Sequence, residues 1–342
     1  MTESNALRLS PGAYPCLLPG LLPEGEAIHF GRFREMLVGR EEVAFAVDCD
    51  GVTPYAELLD RHPGSDARVA SCLPWLVWWD RPLAAAPVTA EERWLVVSPH
   101  PDDVELSMGG LLLRHRDDRA VRHLICFTHL LHTQYAEAFP TDCEATALRK
   151  DEAALSSRLL GADTLMLDLP EFPVRSGHAG EEGILEMEAA MERHVRIALL
   201  SEIDRWKPLH VFAPAAIGNH PDHRLIFDVI LDLYEENHFP DVSFHLYEDA
   251  PYCAAHLAVD DFLARFETSF CAVEPRIEEV SQVFHLKQML SEVFSSQFTR
   301  REQRTLEAIA ERNAALAPGR RGGVPCRYAE RFWALRDRSF TP

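Results

Sequence analysis

The sequence predicts an α/β protein, a Rossmann-like three-layer sandwich in which helices cover both faces of a mostly parallel sheet. From residue 94 onward, short apolar segments alternate with longer segments whose apolar residues recur at helical spacing. This alternation is typical of βαβ units, because parallel strands buried on both faces contain nearly continuous apolar runs. The chain of 342 residues also exceeds one minimal domain, which predicts a large domain with an appendage.

The elements of the main domain, predicted to span 91–300, follow in order along the chain. Five buried strands are expected at 94–98, 123–128, 164–167, 209–213 and 244–247. Helices are expected between them at 108–115, 145–160, 184–203 and 224–233. Gly161 directly follows the second of these helices, where glycine favours termination.

The C-terminal part is predicted to be helical. Helices are expected at 276–294 and 300–315, with a last helical segment at 328–336. We therefore expect residues 301–342 to form a helical segment that packs on the main domain.

The first 90 residues predict a small α+β extension. Residues 43–48 look like a strand, Asp50–Gly51 like a turn, and Thr53–Pro54 like the start of a helix. A second helix is expected after Asp66, continuing through Val77. This order resembles small winged-helix modules of the PqqD-like type, which bind peptides. The alternative is an appendage that only packs against the main domain.

Charge and composition exclude several classes of protein. Asp and Glu number 54 against 34 Lys and Arg, a net charge of −20, and so acidic a surface repels nucleic-acid phosphates. No apolar run approaches the roughly 18 residues of a membrane span, and the N-terminus lacks a signal-peptide pattern. The eight cysteines form no CxxC pair and are expected to be buried thiols. These features predict a cytoplasmic protein.

Two polar motifs follow predicted strands. HPDDVE begins at His100, and HPDH begins at His220. Each lies between a strand and the next helix, where α/β proteins keep their ligand sites. Because the carboxyl ends of parallel strands meet at one edge of a sheet, we expect the motifs to lie side by side.

Three residues of these motifs are predicted metal ligands. The spacing of His100 and Asp103 places both on one side of a first helical turn, and His223 completes a set of two imidazoles and one carboxylate. Three protein ligands with an open fourth position are the arrangement of catalytic zinc. Fe(II) is the alternative ion for these ligands.

Three further residues are assigned catalytic roles. Asp102 is the predicted general base toward a metal-bound water, whose pKa a metal can lower to about 7. His220 is expected to act as a cation that stabilises an oxyanion or protonates a leaving amine. Asp222 is expected to orient His220 or tune its charge.

Two other interpretations cover parts of the pattern. Acidic residues at a helix start, here Asp102, Asp103 and Glu105, also serve as ordinary caps that complement the helix dipole. Two imidazoles and a carboxylate also form the facial triad of non-haem Fe(II) oxygenases. The HxxD spacing within an α/β pattern disfavours the oxygenase, which uses an HxD spacing on a β-sandwich.

Together, HPDDVE and HPDH resemble the LmbE/PIG-L superfamily of zinc-dependent N-deacetylases, which act on N-acetylglucosaminyl-phosphatidylinositol and other amino sugars. The resemblance covers 92–335, through similar segments at 149–163, 165–172, 246–252, 287–297 and 327–332. It implies an LmbE-like fold and the same ligand, base and electrostatic roles as those above. Unlike some members, the chain has no Tyr directly ahead of its second motif.

Three residues outside the motifs are predicted to contact substrate. Arg149 would meet an anionic or hydroxylated group, and Glu171 stands where family members place an acid on the sugar. His129 follows a strand end and is expected to line the pocket.

The predicted function is a metal-dependent hydrolase that removes an N-acyl group, foremost acetyl, from an amino sugar or glycosylated small molecule. One alternative is an amidase whose peptide- or carrier-tethered substrate is recruited by the N-terminal module. The other is a non-haem Fe(II) enzyme.

Overall fold

The structure, a computed structural model, describes residues 10, 12–24, 27–30, 34–37, 39–63, 76–83, 87–177, 181–254, 256–266, 271–317 and 326–337. Its strands are β1 Tyr14–Leu17, β2 Leu21–Glu24, β3 Ala27–Phe30, β4 Arg34–Leu37, β5 Leu76–Trp79, β6 Arg93–Ser98, β7 Ala120–His129, β8 Asp163–Pro170, β9 His210–Pro214, β10 Ser243–Tyr247, β11 Cys271–Glu279 and β12 Ala329–Asp337. Its α-helices are α1 Arg40–Asp48, α2 Tyr55–Arg61, α3 Asp103–Arg114, α4 Asp142–Leu160, α5 Phe172–Ser176, α6 Glu181–Trp206, α7 Pro221–Glu235, α8 His256–Ala264, α9 Phe284–Glu292 and α10 Arg300–Leu316.

A seven-stranded, mostly parallel sheet forms the centre of the fold. Its strand order is β11-β12-β10-β9-β6-β7-β8, and β6 to β10 run parallel to one another. Alternate residues of β6 enter opposite apolar clusters: Val96 packs with α3, α4 and α9, whereas Leu95 and Val97 pack with α6, α7 and α10. The predicted three-layer α/β fold is therefore confirmed, and each of the five predicted strands is present within a few residues of its expected bounds.

Helix α3 begins five residues earlier than predicted, inside the first polar motif. Asp103 and Glu105 occupy its first turn, where their charges complement the helix dipole. The helix is then interrupted at Met108, whose φ of −134° and ψ of 19° are not helical. The carboxylate of Glu330 accepts hydrogen bonds from the Gly110 and Leu111 N–H groups at 2.9 and 2.7 Å, which satisfies the donors beyond the kink.

One of the predicted C-terminal helices is a strand, and another begins late. The segment 276–294 contains the end of β11 before α9 begins at Phe284, and 328–336 is almost entirely β12. Strand β12 lies between β10 and β11 and pairs antiparallel with both. Phe332 and Trp333 enter opposite apolar clusters, so both faces of the strand are covered. The prediction of a purely helical C-terminal segment was wrong, because a strand covered on both faces has no polar side to reveal its period.

The N-terminal extension is α+β, but its elements differ from those expected. Residues 43–48 belong to α1, a helix with Glu41 and Glu42 in its first turn. The predicted turn is present, with Asp50 Oδ1 accepting hydrogen bonds from the N–H groups of Val52 and Thr53, both at 2.7 Å. The second predicted helix lies largely outside the described residues, and its end at Leu76–Val77 is strand β5 instead.

The extension shares its core with the main domain. Strand β1 pairs with β5, and β2, β3 and β4 form a second small sheet. Trp78 of β5 and Phe45 of α1 are fully buried in the same apolar cluster as Val96 of the central sheet. The extension is therefore packed against the main domain through a continuous apolar core.

Two expectations from composition can be compared with the structure. The cysteines described are free, but Cys143 on α4 is exposed and Cys326 is half-buried, so the expectation that all are buried was wrong. Among the described helices, none combines the length and apolar character that crossing a bilayer requires.

Candidate metal centre

The two polar motifs meet at the carboxyl edge of the central sheet. Strand β6 ends at Ser98, just before the first motif, and β9 ends at Pro214, shortly before the second. The ring centroids of His100 and His223 lie 5.4 Å apart. The structure thus brings the motifs side by side, as the sequence predicts.

The three predicted ligands form a compact buried group. Asp103 Oδ2 lies 3.1 Å from His100 Nδ1 and 3.3 Å from His223 Nε2. One ligand atom from each of the three residues lies within 4.8 Å of the others. Two imidazole nitrogens and one carboxylate oxygen at these separations suit a zinc-like divalent ion.

Each imidazole is oriented by a second carboxylate. His100 Nε2 lies 3.0 Å from Asp222 Oδ2, and His223 Nδ1 lies 2.7 Å from Asp249 Oδ1. These contacts direct the other ring nitrogens toward Asp103. His223 Nε2 is buried and faces Asp103 Oδ2 at 3.3 Å, so both atoms can be ligands of one ion. Carboxylate–imidazole–metal pairing of this kind is usual in zinc sites.

The electrostatics of the group also favour a cation. Burial alone would lower the pKa of both imidazoles, but Asp103 and Asp249 raise that of His223 to about 10. Asp103 and Asp222 likewise raise the pKa of His100 to about 9 against its burial. The carboxylates outweigh desolvation, so positive charge is stabilised between them. The residues therefore fit a bound divalent metal.

A second group of three, formed by His100, His220 and Asp222, overlaps the first. Its carboxylate is already engaged: Asp222 Oδ1 lies 2.5 Å from Arg175 Nη1, and Oδ2 accepts a hydrogen bond from the Phe172 N–H at 2.9 Å. We therefore favour the group formed with Asp103 and His223, because Asp103 is paired with the two imidazoles themselves.

The predicted base, Asp102, lies next to this group. Its Oδ1 accepts a hydrogen bond from Arg149 Nη2 at 3.2 Å, and its side chain is only 13% exposed. Burial raises the pKa of Asp102 and the nearby Asp103 adds to that rise, while Arg149 opposes it. A raised pKa suits a carboxylate that must accept a proton and later return it.

His220 differs from expectation in its charge. Burial, assisted by the neighbouring His100 and His223, lowers the pKa of His220 to about 4, so the ring is neutral at pH 7. Its Nδ1 accepts a hydrogen bond from the Asp222 N–H at 3.3 Å. The proton of the neutral ring therefore resides on Nε2, and His220 is a neutral hydrogen-bond donor and not a standing cation.

Asp222 also supports a different residue from the one predicted. Its Oδ2 is 3.9 Å from His220 Nδ1 but only 3.0 Å from His100 Nε2. Only its backbone N–H binds His220 directly. The carboxylate of Asp222 thus orients a predicted metal ligand.

The predicted substrate residues lie in the walls of the site. Arg149 is buried and pairs with Asp102. Glu171 is buried and accepts a hydrogen bond from the Leu131 N–H at 2.6 Å, while its own N–H donates to the His129 carbonyl at 3.0 Å. Glu171 and His129 therefore shape the segment that follows β7, and direct contact of these residues with substrate stays a prediction.

Three residues that support the site have no assigned role in the sequence analysis. Asp249 follows the end of β10, a position at the carboxyl edge that could have flagged it. Arg175, from the short helix α5, had no signal in the sequence. Tyr252 has its ring centroid 5.3 Å from that of His223. A Cβ added at Gly218, which has φ +89°, would lie 2.9 Å from the Tyr252 Cβ, so glycine there permits this packing.

Replacing Asp249 with Asn is expected to weaken metal binding by about 10- to 100-fold. A neutral amide can still orient the His223 imidazole, but it no longer places a negative charge behind the ring. Competition with a chelator measures the affinity. Asp260→Asn, on the exposed surface of α8, is the matched control. An unchanged affinity in the Asp249 variant would contradict the assignment of His223 as a ligand.

Glu152 holds a loop near the site through a buried carboxyl group. Its oxygens accept hydrogen bonds from the Ser296 N–H at 2.8 Å and the Ser296 hydroxyl at 2.6 Å. The Ser296 carbonyl in turn accepts a hydrogen bond from the Gln134 N–H at 2.8 Å, which fastens the segment after β7. Burial raises the pKa of Glu152 from 4.5 to about 7, against these hydrogen bonds and the nearby Arg149.

Stability is therefore expected to depend on pH through Glu152. In the unfolded chain the Glu152 carboxyl group loses its proton above about pH 4.5, its ordinary pKa. In the folded chain the same group keeps its proton up to about pH 7. The free energy of unfolding should thus fall by about 3 kcal/mol between pH 4.5 and 7.5 relative to a Glu152→Gln variant. Denaturant titrations at several pH values test this, with the exposed Glu91→Gln as control. Parallel pH profiles for the wild type and the Glu152 variant would refute it.

Comparison with known proteins agrees with this fold. Residues 95–234 match the family described as PIG-L, GlcNAc-PI de-N-acetylase, so the chain contains a PIG-L (LmbE-like) domain. The matched region contains both polar motifs but is shorter than the resemblance at 92–335.

Several solved structures share the fold. A deacetylase of the teicoplanin biosynthesis pathway is 21% identical, with a TM-score of 0.54, over 73% of this chain and 100% of that one. The A40926 pseudoaglycone deacetylase is 23% identical, with a TM-score of 0.51, over 72% and 97%. The N,N'-diacetylchitobiose deacetylase of Pyrococcus horikoshii is 22% identical, with a TM-score of 0.50, over 71% and 83%. At these identities the similarity establishes the shared α/β fold.

Proposed function

We propose that this protein is a metal-dependent N-deacetylase that acts on an amino sugar or a glycosylated small molecule. The observation that carries the proposal is the buried group of His100, Asp103 and His223 beside Asp102. The names of the similar structures support the choice of reaction, since they are a deacetylase of the teicoplanin biosynthesis pathway and an N,N'-diacetylchitobiose deacetylase.

Three residues would hold the metal, and each has a supporting partner. His100 Nδ1, Asp103 Oδ2 and His223 Nε2 are the proposed ligand atoms, with Asp222 and Asp249 behind the two imidazoles. A divalent metal bound there supplies Lewis acidity, which polarises a carbonyl and lowers the pKa of a water molecule. Zinc is the expected ion and Fe(II) the alternative. One similar structure is a zinc-inhibited form of teicoplanin deacetylase, so assays should use defined amounts of zinc.

The remaining residues divide the proton transfers between them. Asp102 accepts a proton from the attacking water, while Arg149 holds its Oδ1 and leaves Oδ2 to face the reaction. The neutral His220 donates from Nε2 to the oxygen that becomes negative as the amide carbonyl is attacked. When the C–N bond breaks, protonated Asp102 returns its proton to the departing amine. The products are acetate and the free amino sugar.

The N-terminal extension is not assigned a role in substrate recruitment. Its apolar residues, including Phe45 and Trp78, are buried against the central sheet. The second alternative, a non-haem Fe(II) oxygenase, is disfavoured by the α/β fold, because the facial triad of those enzymes uses an HxD spacing on a β-sandwich.

A substrate panel with defined metals tests the proposal. Protein freed of metal and reloaded with one equivalent of Zn²⁺ or Fe²⁺ should release acetate from N-acetylglucosamine, N,N'-diacetylchitobiose or an N-acetylglucosaminyl glycopeptide. Amine release must match acetate release one to one. Metal binding without hydrolysis of any N-acylated sugar, under both metals, would reject the deacetylase reaction and leave the metal site standing.

A further inference from the structure

A second concave surface lies outside the metal centre, between α10 and the turn Tyr252–Ala254. Its volume is about 490 Å³, which is within the range of small-molecule sites. It is lined by Ala254, Arg301, Arg304, Thr305, Ala308, Ile309 and Arg312. We call it the arginine groove.

The groove is lined by three arginines in an acidic protein. Its lining contains no acidic residue, although the chain has a net charge of −20, and one of the arginines, Arg312, is paired with Glu248. Several other surface arginines are paired with acids, as Arg224 is with Asp228 and Arg196 with Glu236. Among the residues whose side chains the structure describes, no acid forms an ion pair with Arg301 or Arg304.

One wall of the groove is rigid. Arg312 donates from Nη1 to the Cys253 carbonyl and from Nη2 to Glu248 Oε1, both at 2.6 Å. Asn313 also donates to Glu248, which is almost fully buried. These bonds fix α10 against the turn that contains Ala254, so the groove is a preformed feature and not a gap between mobile parts.

The same turn links the groove to the metal centre. Tyr252 lies two residues before Ala254, and its ring centroid is 5.3 Å from that of His223. The turn Tyr252–Ala254 therefore contacts the metal centre through its first residue and the groove through its last. A single three-residue turn therefore joins the two surfaces.

We propose that the arginine groove binds an anionic group, a phosphate or a carboxylate, on the part of the substrate remote from the N-acyl group. Guanidinium groups present paired donors that match the oxygens of both anions. This inference rests on the proposed deacetylase activity, and it narrows the substrate class to anionic amino-sugar derivatives.

Kinetics of a double variant, Arg301→Gln/Arg304→Gln, test the proposal. With N-acetylglucosamine 6-phosphate or N-acetylglucosaminuronic acid, whose anion lies across the sugar ring from the N-acetyl group, KM should rise about 10-fold with little change in kcat, as expected for two partly screened ionic contacts. With neutral N-acetylglucosamine, KM should stay unchanged. A larger effect on the phosphate than on the carboxylate, or the reverse, identifies the anion. Arg205→Gln/Lys207→Gln removes the same charge from a distant exposed surface and is the matched control.

A binding measurement separates this proposal from the deacetylase assignment. Calorimetry with N-acetylglucosamine 6-phosphate on the Asp102→Asn protein should show binding that the groove variant weakens and the control does not. That result supports the groove even if no sugar is hydrolysed. Equal affinity in the groove variant and the control, or equal changes in KM for neutral and anionic sugars, would overturn it.

Discussion

Replacing Asp102 with Asn is expected to lower kcat by about 10²- to 10⁴-fold, the usual contribution of a positioned general base. Asparagine keeps the shape of the side chain and an oxygen for Arg149 Nη2, which lies 3.2 Å from Asp102 Oδ1 in the wild type. It cannot accept the proton of the attacking water. Steady-state assays of acetate release measure the loss, and the metal content per chain should stay at the wild-type value.

Two other variants show whether the loss of kcat is due to the removal of a general base. Asp103→Asn, one residue away, should lose metal as well as activity, because Asp103 contacts both ligand imidazoles. Asp241→Asn, on the exposed surface, should change neither. If the Asp102 variant lost its metal or kept its kcat, Asp102 would not be the base.

Replacing Arg175 with Met is expected to destabilise the fold by about 3–5 kcal/mol, the usual result of removing one partner of a buried ion pair. The Arg175 and Asp222 side chains are 1% and 0% exposed, and their charged atoms lie 2.5 Å apart. Methionine retains contact with Phe127 and Phe172, over which the guanidinium stacks. The loss therefore comes from the ionic contacts of the guanidinium with Asp222 and Glu188. Chemical denaturation measures the free energy of unfolding.

Two further variants test whether the buried ion pair causes this loss of stability. Arg224→Met removes an exposed arginine paired with Asp228 and should cost less than about 1 kcal/mol. The double variant Arg175→Met/Asp222→Asn should recover part of the stability, because it removes the buried charge as well. If Arg175→Met cost no more than the Arg224 control, the buried pair would not stabilise the site.

Arg175 also positions the Asp222 carboxylate, which contacts a predicted metal ligand. Asp222 receives both Arg175 and His100 Nε2, so a displaced Asp222 would misorient a predicted ligand. The metal affinity of Arg175→Met should therefore fall, whereas a purely structural role elsewhere in the core would leave it unchanged. Arg175 is the residue through which helix α5 contributes to the site.

The parts of the fold predicted correctly are those with strong local signals. The parallel strands are short apolar runs set between helices, and Gly161 ends α4 in the left-handed conformation with φ 66°. The secondary-structure predictions that were wrong concern segments whose local pattern of residues does not distinguish a helix from a strand. Residues 43–48 contain β-branched and aromatic residues that suggest a strand, yet packing of Val43 and Ala46 into the core selects a helix. Strand β12 was read as a helix because both of its faces are covered.

The sequence by itself determined the α/β class, the two polar motifs and the identity of the candidate ligands, because each depends on residue type and on spacing within one short segment. Only the tertiary structure decided which carboxylates stand behind the two imidazoles, since Asp222 and Asp249 reach their partners across separate strands. It also decided that His220 is neutral, because burial and two neighbouring imidazoles set its pKa. The charge of a side chain depends on its surroundings in three dimensions, which no local spacing contains.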